Sequence, residues 1–100
     1  MRLSEYELKT ITQTFLQYFG KQDELWLFGS RADDQKKGGD IDLFIHTHEH
    51  DLKKIFDAKI SFLLEIKSKI GEQKIDVIVQ TPSDEAPIYQ QAKTTGVRLL

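Results

Sequence analysis

Leu25-Trp26-Leu27-Phe28-Gly29-Ser30, followed after nine residues by Asp40-Ile41-Asp42-Leu43-Phe44-Ile45, is the stretch on which the fold turns. Its first part is a short apolar run that reads as a buried strand, halted by Gly-Ser. In the second part, period-two alternation projects Asp40 and Asp42 from one face of a strand and Ile41, Leu43 and Ile45 from the other. Aspartate is a poor strand residue, so two of them inside an apolar strand require a reason. Between the two strands, Ala32 to Gly39 is polar and ends in glycine, which predicts a loop, or a short helix with a loop after it.

Upstream, Ser4-Glu5-Tyr6-Glu7 is a capping box, and Leu3 and Leu8 stand at the positions of a hydrophobic staple. Leu8, Ile11, Phe15 and Phe19 recur at helical spacing until Gly20. Downstream, His46 to His50 is a polar strand exit, and Asp51 to Ile70 predicts a long helix. Leu52, Ile55, Phe56, Ile60, Leu63, Leu64 and Ile70 lie on or near one face of it, and Ile60, Leu63 and Leu64 are expected in the core. Gly71 suits a helix end. Lys74 to Gln80 is a third strand, stopped by Thr81-Pro82. A last helix is expected from about Asp84 to Thr95, with Pro87 tolerable only in its first turn and Gly96 closing it. The apolar tail Val97 to Leu100 is either a short strand or a partner contact. The order predicts an α/β (α+β) fold, a small mixed sheet flanked by helices, in one domain spanning residues 1–100.

Composition narrows the chemistry. Of the 100 residues, 39% are hydrophobic and 30% charged, an ordinary balance for a soluble protein. Apolar runs are too short and too interrupted to span a bilayer. The first residues carry no apolar secretion segment, so a cytoplasmic location is expected. Absence of cysteine excludes disulfides, thiolate zinc sites and cysteine nucleophiles. A formal net charge of −2 argues against direct nucleic-acid binding and leaves a small polyanion, such as a nucleotide, held locally.

Three features then align. Gly29 permits close backbone approach to a ligand, and Ser30 adds a hydroxyl where the chain turns toward a helix start, a place suited to the β- and γ-phosphates of a nucleoside triphosphate. Asp40 and Asp42, held close, need a cation to offset their repulsion, and hard oxygen ligands suit Mg²⁺. Asp76, inside the β-branched run Ile75 to Val79, adds the third carboxylate of a two-metal cage. Taken singly, each has an ordinary reading as a turn, a solvated edge residue or a strand start; their order along the strands makes the site. Arg31, Lys36 or Lys37 would meet charge on the departing phosphates, although a solvated loop is the simpler reading of the two lysines. His46, His48 and His50 alternate, yet a polar strand exit explains them without a metal. Trp26 reads as a buried strand residue rather than a base-stacking platform. Walker A, Rossmann and nucleophile-elbow motifs are absent.

Leu27-Phe28-Gly29-Ser30-Arg31-Ala32, Gly39-Asp40-Ile41-Asp42-Leu43 and Ile75-Asp76-Val77 together resemble the DNA polymerase beta-like nucleotidyltransferase superfamily, and more closely its minimal nucleotidyltransferase group, over nearly the whole chain. The resemblance implies a phosphate-binding role for Ser30, with Gly29 and Arg31 beside it, and metal-binding catalytic roles for Asp40, Asp42 and Asp76. It also implies ATP as substrate, Mg²⁺ as cofactor and a small all-helical HEPN-type toxin as partner, in a hetero-oligomer where this chain is the antitoxin and transfers AMP to a tyrosine. The loop Asp33 to Gly39 departs from the pattern. It lacks the further Arg-Gly and the serine before the first aspartate, and is about one residue short. Because 100 residues leave no room to enclose an acceptor, a partner chain is expected to present it. Two alternatives stand beside this reading: a non-catalytic antitoxin that neutralises by occlusion, and a catalytic subunit acting on an RNA or small-molecule acceptor.

Overall fold

A computed structural model describes residues 1–35, 39–71 and 73–100. Helix α1 (Glu5–Tyr18) begins where the capping box places it. Ser4 Oγ accepts the Glu7 amide at 3.0 Å and Glu7 Oε1 accepts the Ser4 amide at 2.9 Å. Strand β1 (Glu24–Phe28) runs into a single 3₁₀ turn over Gly29–Ala32. Strand β2 (Ile41–His46), helix α2 (Leu52–Ile70), strand β3 (Ile75–Gln80), helix α3 (Pro87–Thr95) and strand β4 (Val97–Arg98) follow.

The sheet order is β3-β2-β1-β4; β3 runs parallel to β2, while β1 is antiparallel to both β2 and β4. The expected mixed sheet is therefore present, and α2 is the crossover that parallel pairing of β2 and β3 requires. Ile41, Leu43 and Ile45 point as their alternation demands, into a core shared with Leu25, Leu27, Ile75 and Val77 of the sheet and Ile11, Phe15, Phe62 and Ile66 of α1 and α2. Phe15, Phe19 and Phe62 interlock there, Phe62 meeting the other two edge-on with ring centroids 6.2 and 5.8 Å away. The opposite face carries Phe44, fully buried beneath α3, with Tyr89 5.5 Å from its ring.

Several expectations need correction. Ile60 and Leu64 are not core: they are 37% and 63% exposed, alongside Leu52 at 70% and Phe56 at 62%. Successive helix residues are 100° apart, so burying Ile55, Phe62 and Ile66 turns the Leu52-Phe56-Ile60-Leu64 ridge outward. Glu65 and Lys69 of α2 meet Tyr18 and Tyr6 of α1, so the exposed ridge lies on the flank away from α1. Trp26 is half-buried, on the sheet face opposite Leu25 and Leu27, and its indole N–H donates to Glu24 Oε1 at 3.0 Å. Helix α3 starts at Pro87 rather than Asp84, because a residue before proline is held out of the helical region; Ala86 has ψ 139°. Asp84 instead accepts the Ala86 amide at 3.1 Å and the Tyr89 hydroxyl at 2.9 Å. The tail is the short strand, with Leu25 and Leu100 exchanging backbone hydrogen bonds. Among the described residues, no helix is long and apolar enough to cross a membrane.

Candidate active site

The end of β1 and the starts of β2 and β3 lie side by side, because β1 is antiparallel to β2 and β3 parallel to it. Phe28 pairs with Asp42, and Asp42 pairs in turn with Asp76. That register places the two aspartates next to each other on the sheet face opposite the main core. Asp76 is exposed and Asp42 half-buried. The Asp42 carboxyl is held above the usual aspartate range. Burial is the largest cause, followed by the charges of Asp76 and Asp40 and opposed by Lys74, and its protonated form can hydrogen-bond to Asp76.

Gly29 and Gly39 let the chain close around these groups. Both have positive φ, 72° and 95°. A Cβ on Gly29 would collide with Asp42 Oδ2, and one on Gly39 with Ser30 Oγ. The positive φ favours glycine at both positions, and the missing Cβ leaves room for the Asp42 carboxylate against the Gly29 turn and for the Ser30 hydroxyl against the entry to β2. The turn carrying Ser30 is a single 3₁₀ turn rather than a longer helix.

Asp40 is near enough for its charge to act on Asp42, but it is paired with a lysine. It lies just before β2, its side chain is 44% exposed, and its carboxylate faces Lys74 Nζ at 3.5 Å. Among the described residues, no three His, Cys, Asp or Glu side chains are arranged to hold a metal ion. Two do converge, Asp42 and Asp76, paired across β2 and β3. A hard divalent cation would suit two carboxylate donors of this kind.

Arg31 turns to the protein. It donates to the carbonyl oxygens of Arg2 and Gly39 and to Gln73 Oε1, and it stands 3.8 Å from Glu7. Sequence reasoning missed Glu7 and Gln73, which no local pattern connects with Arg31. Lys36 and Lys37 lie outside the described residues. An open cleft of about 610 Å³ lined by Lys67, Ser68, Gln73 and Lys74 shares its last two residues with the rim of the site. Another cleft, of about 590 Å³, lies at the far end of the sheet beside Asp23 and Thr47. There Asp23 accepts from the Thr47 hydroxyl and the His48 amide. His46 stacks on His48, and it is kept below the usual histidine range first by burial and then by the Lys93 charge.

The profile of the polymerase beta nucleotidyltransferase family ("Polymerase beta, Nucleotidyltransferase") matches residues 9–100. The chain belongs to that family. The match takes in both glycines, Ser30 and all three aspartates. No curated protein matches the chain in a sequence search. Among solved structures, a mutant of the toxin–antitoxin pair MntA–HpeT aligns over 93% of this chain and 72% of its own, with a TM-score of 0.57 and 17% identity. At that identity the likeness extends to the fold, which is that of the family.

Proposed function

We propose that this nucleotidyltransferase is an antitoxin that transfers AMP from ATP to a hydroxyl, in our reading a tyrosine, of an all-helical HEPN-type toxin. The observation that carries the reading is Asp42 facing Asp76 across paired strands, with the Gly29-Ser30 turn packed on Asp42. Ser30 and the Gly29 backbone hold the distal phosphates. Asp42 and Asp76, with Asp40 beside them, would hold Mg²⁺, and the metal, when bound, would offset charge on the carboxylates and phosphates. The acceptor oxygen bonds to the α-phosphorus, the bond from that phosphorus to the bridging oxygen of the β-phosphate breaks, and pyrophosphate departs on the Ser30 side. The hydroxyl proton passes to Asp76, the exposed carboxylate of the pair. Positioning and charge do most of the work in such a transfer.

Support for a partner comes from three sides. The Leu52-Phe56-Ile60-Leu64 ridge leaves apolar surface for another protein to cover. The site lies at the strand ends, with Asp76 exposed on the edge strand β3. A fold relative is part of a toxin–antitoxin pair. We place this activity in the cytoplasm. Incubation with ATP, Mg²⁺ and the helical protein encoded beside this chain is expected to add an AMP-sized mass to that protein. No added mass, or full transfer by Asp42→Asn, overturns the proposal.

The Asp40–Lys74 contact favours a second reading, neutralisation by occlusion without catalysis. Under it, Asp40→Ala and Asp76→Ala would neutralise the toxin as well as the unmodified protein does, and a loss of neutralisation decides against it.

A further inference from the structure

We infer that Arg31 is a positioning residue, which fixes the Ser30 turn against the entries of the two strands that bear Asp42 and Asp76. The inference rests on the site proposed above and assigns Arg31 a task other than contact with phosphate. Its side chain is only 19% exposed. The guanidinium divides its donors among three acceptors: Nε to Gly39 O at 3.3 Å, Nη1 to Arg2 O at 2.9 Å and Nη2 to Gln73 Oε1 at 3.1 Å. Gly39 directly precedes Asp40 at the entry to β2, and Gln73 stands three residues before Asp76 at the entry to β3. Arg31 itself follows Ser30. One planar group therefore ties the phosphate turn to both carboxylate strands at the points where they enter the sheet.

The surroundings hold this hub in place. Arg2 returns two bonds to the same turn, Nη2 to Ser30 O at 3.0 Å and its own amide to Arg31 O at 2.7 Å. Gln73 Nε2 donates to Glu7 Oε2 at 2.8 Å, so the carboxylate beside Arg31 also fixes the side-chain amide that receives it. Glu7 is in turn anchored by the Ser4 amide. These bonds engage Nε and both terminal nitrogens, three of the five guanidinium donors, and hold the group turned toward the strand entries. Lysine, with one ammonium, cannot span three acceptors that lie in different directions.

The test uses the whole protein and two independent readouts. Amide hydrogen exchange is followed by mass spectrometry in residues 29–32, and ATP–Mg²⁺ KM and kcat for AMP transfer are measured separately. Gln73→Ala is expected to speed exchange in residues 29–32 several-fold, although it lies more than forty positions away in sequence. It should also lower kcat by roughly 100-fold while changing KM for ATP less than about twofold. Arg31→Lys is expected not to restore activity, and Arg31→Ala combined with Gln73→Ala should be no worse than Arg31→Ala alone. Unchanged exchange in residues 29–32 of Gln73→Ala overturns the inference. So does a raised KM at constant kcat in Arg31→Ala, the signature of a phosphate ligand. If the unmodified protein neither binds ATP nor transfers AMP, the proposed function fails, and the exchange result alone decides the hub.

Discussion

With Asp76 across the strand pair and Asp40 two positions upstream, Asp42 sits where its own charge is disfavoured. Its folded-state pKa lies above that of the unfolded chain, so the native state binds the extra proton over the interval between the two. Folding stability therefore falls as pH rises through that interval, and an ionised Asp42 weighs against the fold at neutral pH. Asp42→Asn is accordingly expected to abolish transfer yet raise the melting temperature at pH 7 by a few degrees. The gain should close as pH drops below the ordinary aspartate value of 3.8, and thermal melts across pH check it. Mg²⁺ should stabilise the unmodified protein and leave the asparagine variant unaffected. Gly29 tests the same spot from the backbone side: Gly29→Ala meets both a positive φ and the Asp42 carboxylate. It should cost about 1–3 kcal/mol in urea unfolding and remove activity. Residues of this kind were legible in the sequence because they break the grammar of a strand. Asp42 and Asp76 interrupt apolar runs, and Gly29-Ser30 stops one. The turn of Asp40 toward Lys74 and the commitment of Arg31 to Gln73 were not legible. Both depend on side chains brought together only by strand pairing.

At the level of elements, caps and alternation could be read directly, while the rotation of α2 could not. The helix carries two apolar ridges of comparable hydrophobicity, Ile55-Phe62-Ile66 and Leu52-Phe56-Ile60-Leu64, and only packing on the sheet chooses between them. Phe62→Ala removes a ring locked against Phe15 and Phe19 and is expected to cost roughly 3–5 kcal/mol. Phe56→Ala should stay within about 0.5 kcal/mol of the unmodified protein, and chemical denaturation of the two variants side by side checks the assignment. The α1 cap offers a smaller and separate effect. Ser4→Ala loses the capping box and should destabilise by about 1 kcal/mol. That box includes Glu7, whose carboxyl is held below the usual glutamate range: burial raises it, but the Ser4 and Gln73 hydrogen bonds and the Arg31 charge outweigh burial. Its contribution is present at neutral pH and is lost as the carboxylate protonates on acidification.

Across the whole molecule the two ends of the sheet differ in kind. One end gathers Ser30, Asp42 and Asp76 at an open edge; the other packs Asp23 with Thr47 and His48. The exposed α2 ridge runs along the molecule toward the first end, since α2 finishes just before β3 begins. Phe56→Lys is therefore expected to weaken co-purification with the helical partner proposed above while leaving the melting temperature within a degree or two. Unimpaired association would place the contact elsewhere. Strand β4 bears on the order in which the molecule assembles. Its residues cover the outer edge of β1, with Leu99 and Leu100 bonded to the Leu25 backbone, and β1 is the strand that delivers Gly29 to the site. Until residues 97–100 have left the ribosome, that edge stays open to any other strand in reach. A nascent chain can form its α1 cap and its β1–β2 hairpin early, but it can cover the outer edge of the strand that leads into its Gly29-Ser30 turn only after residues 97–100 have been made.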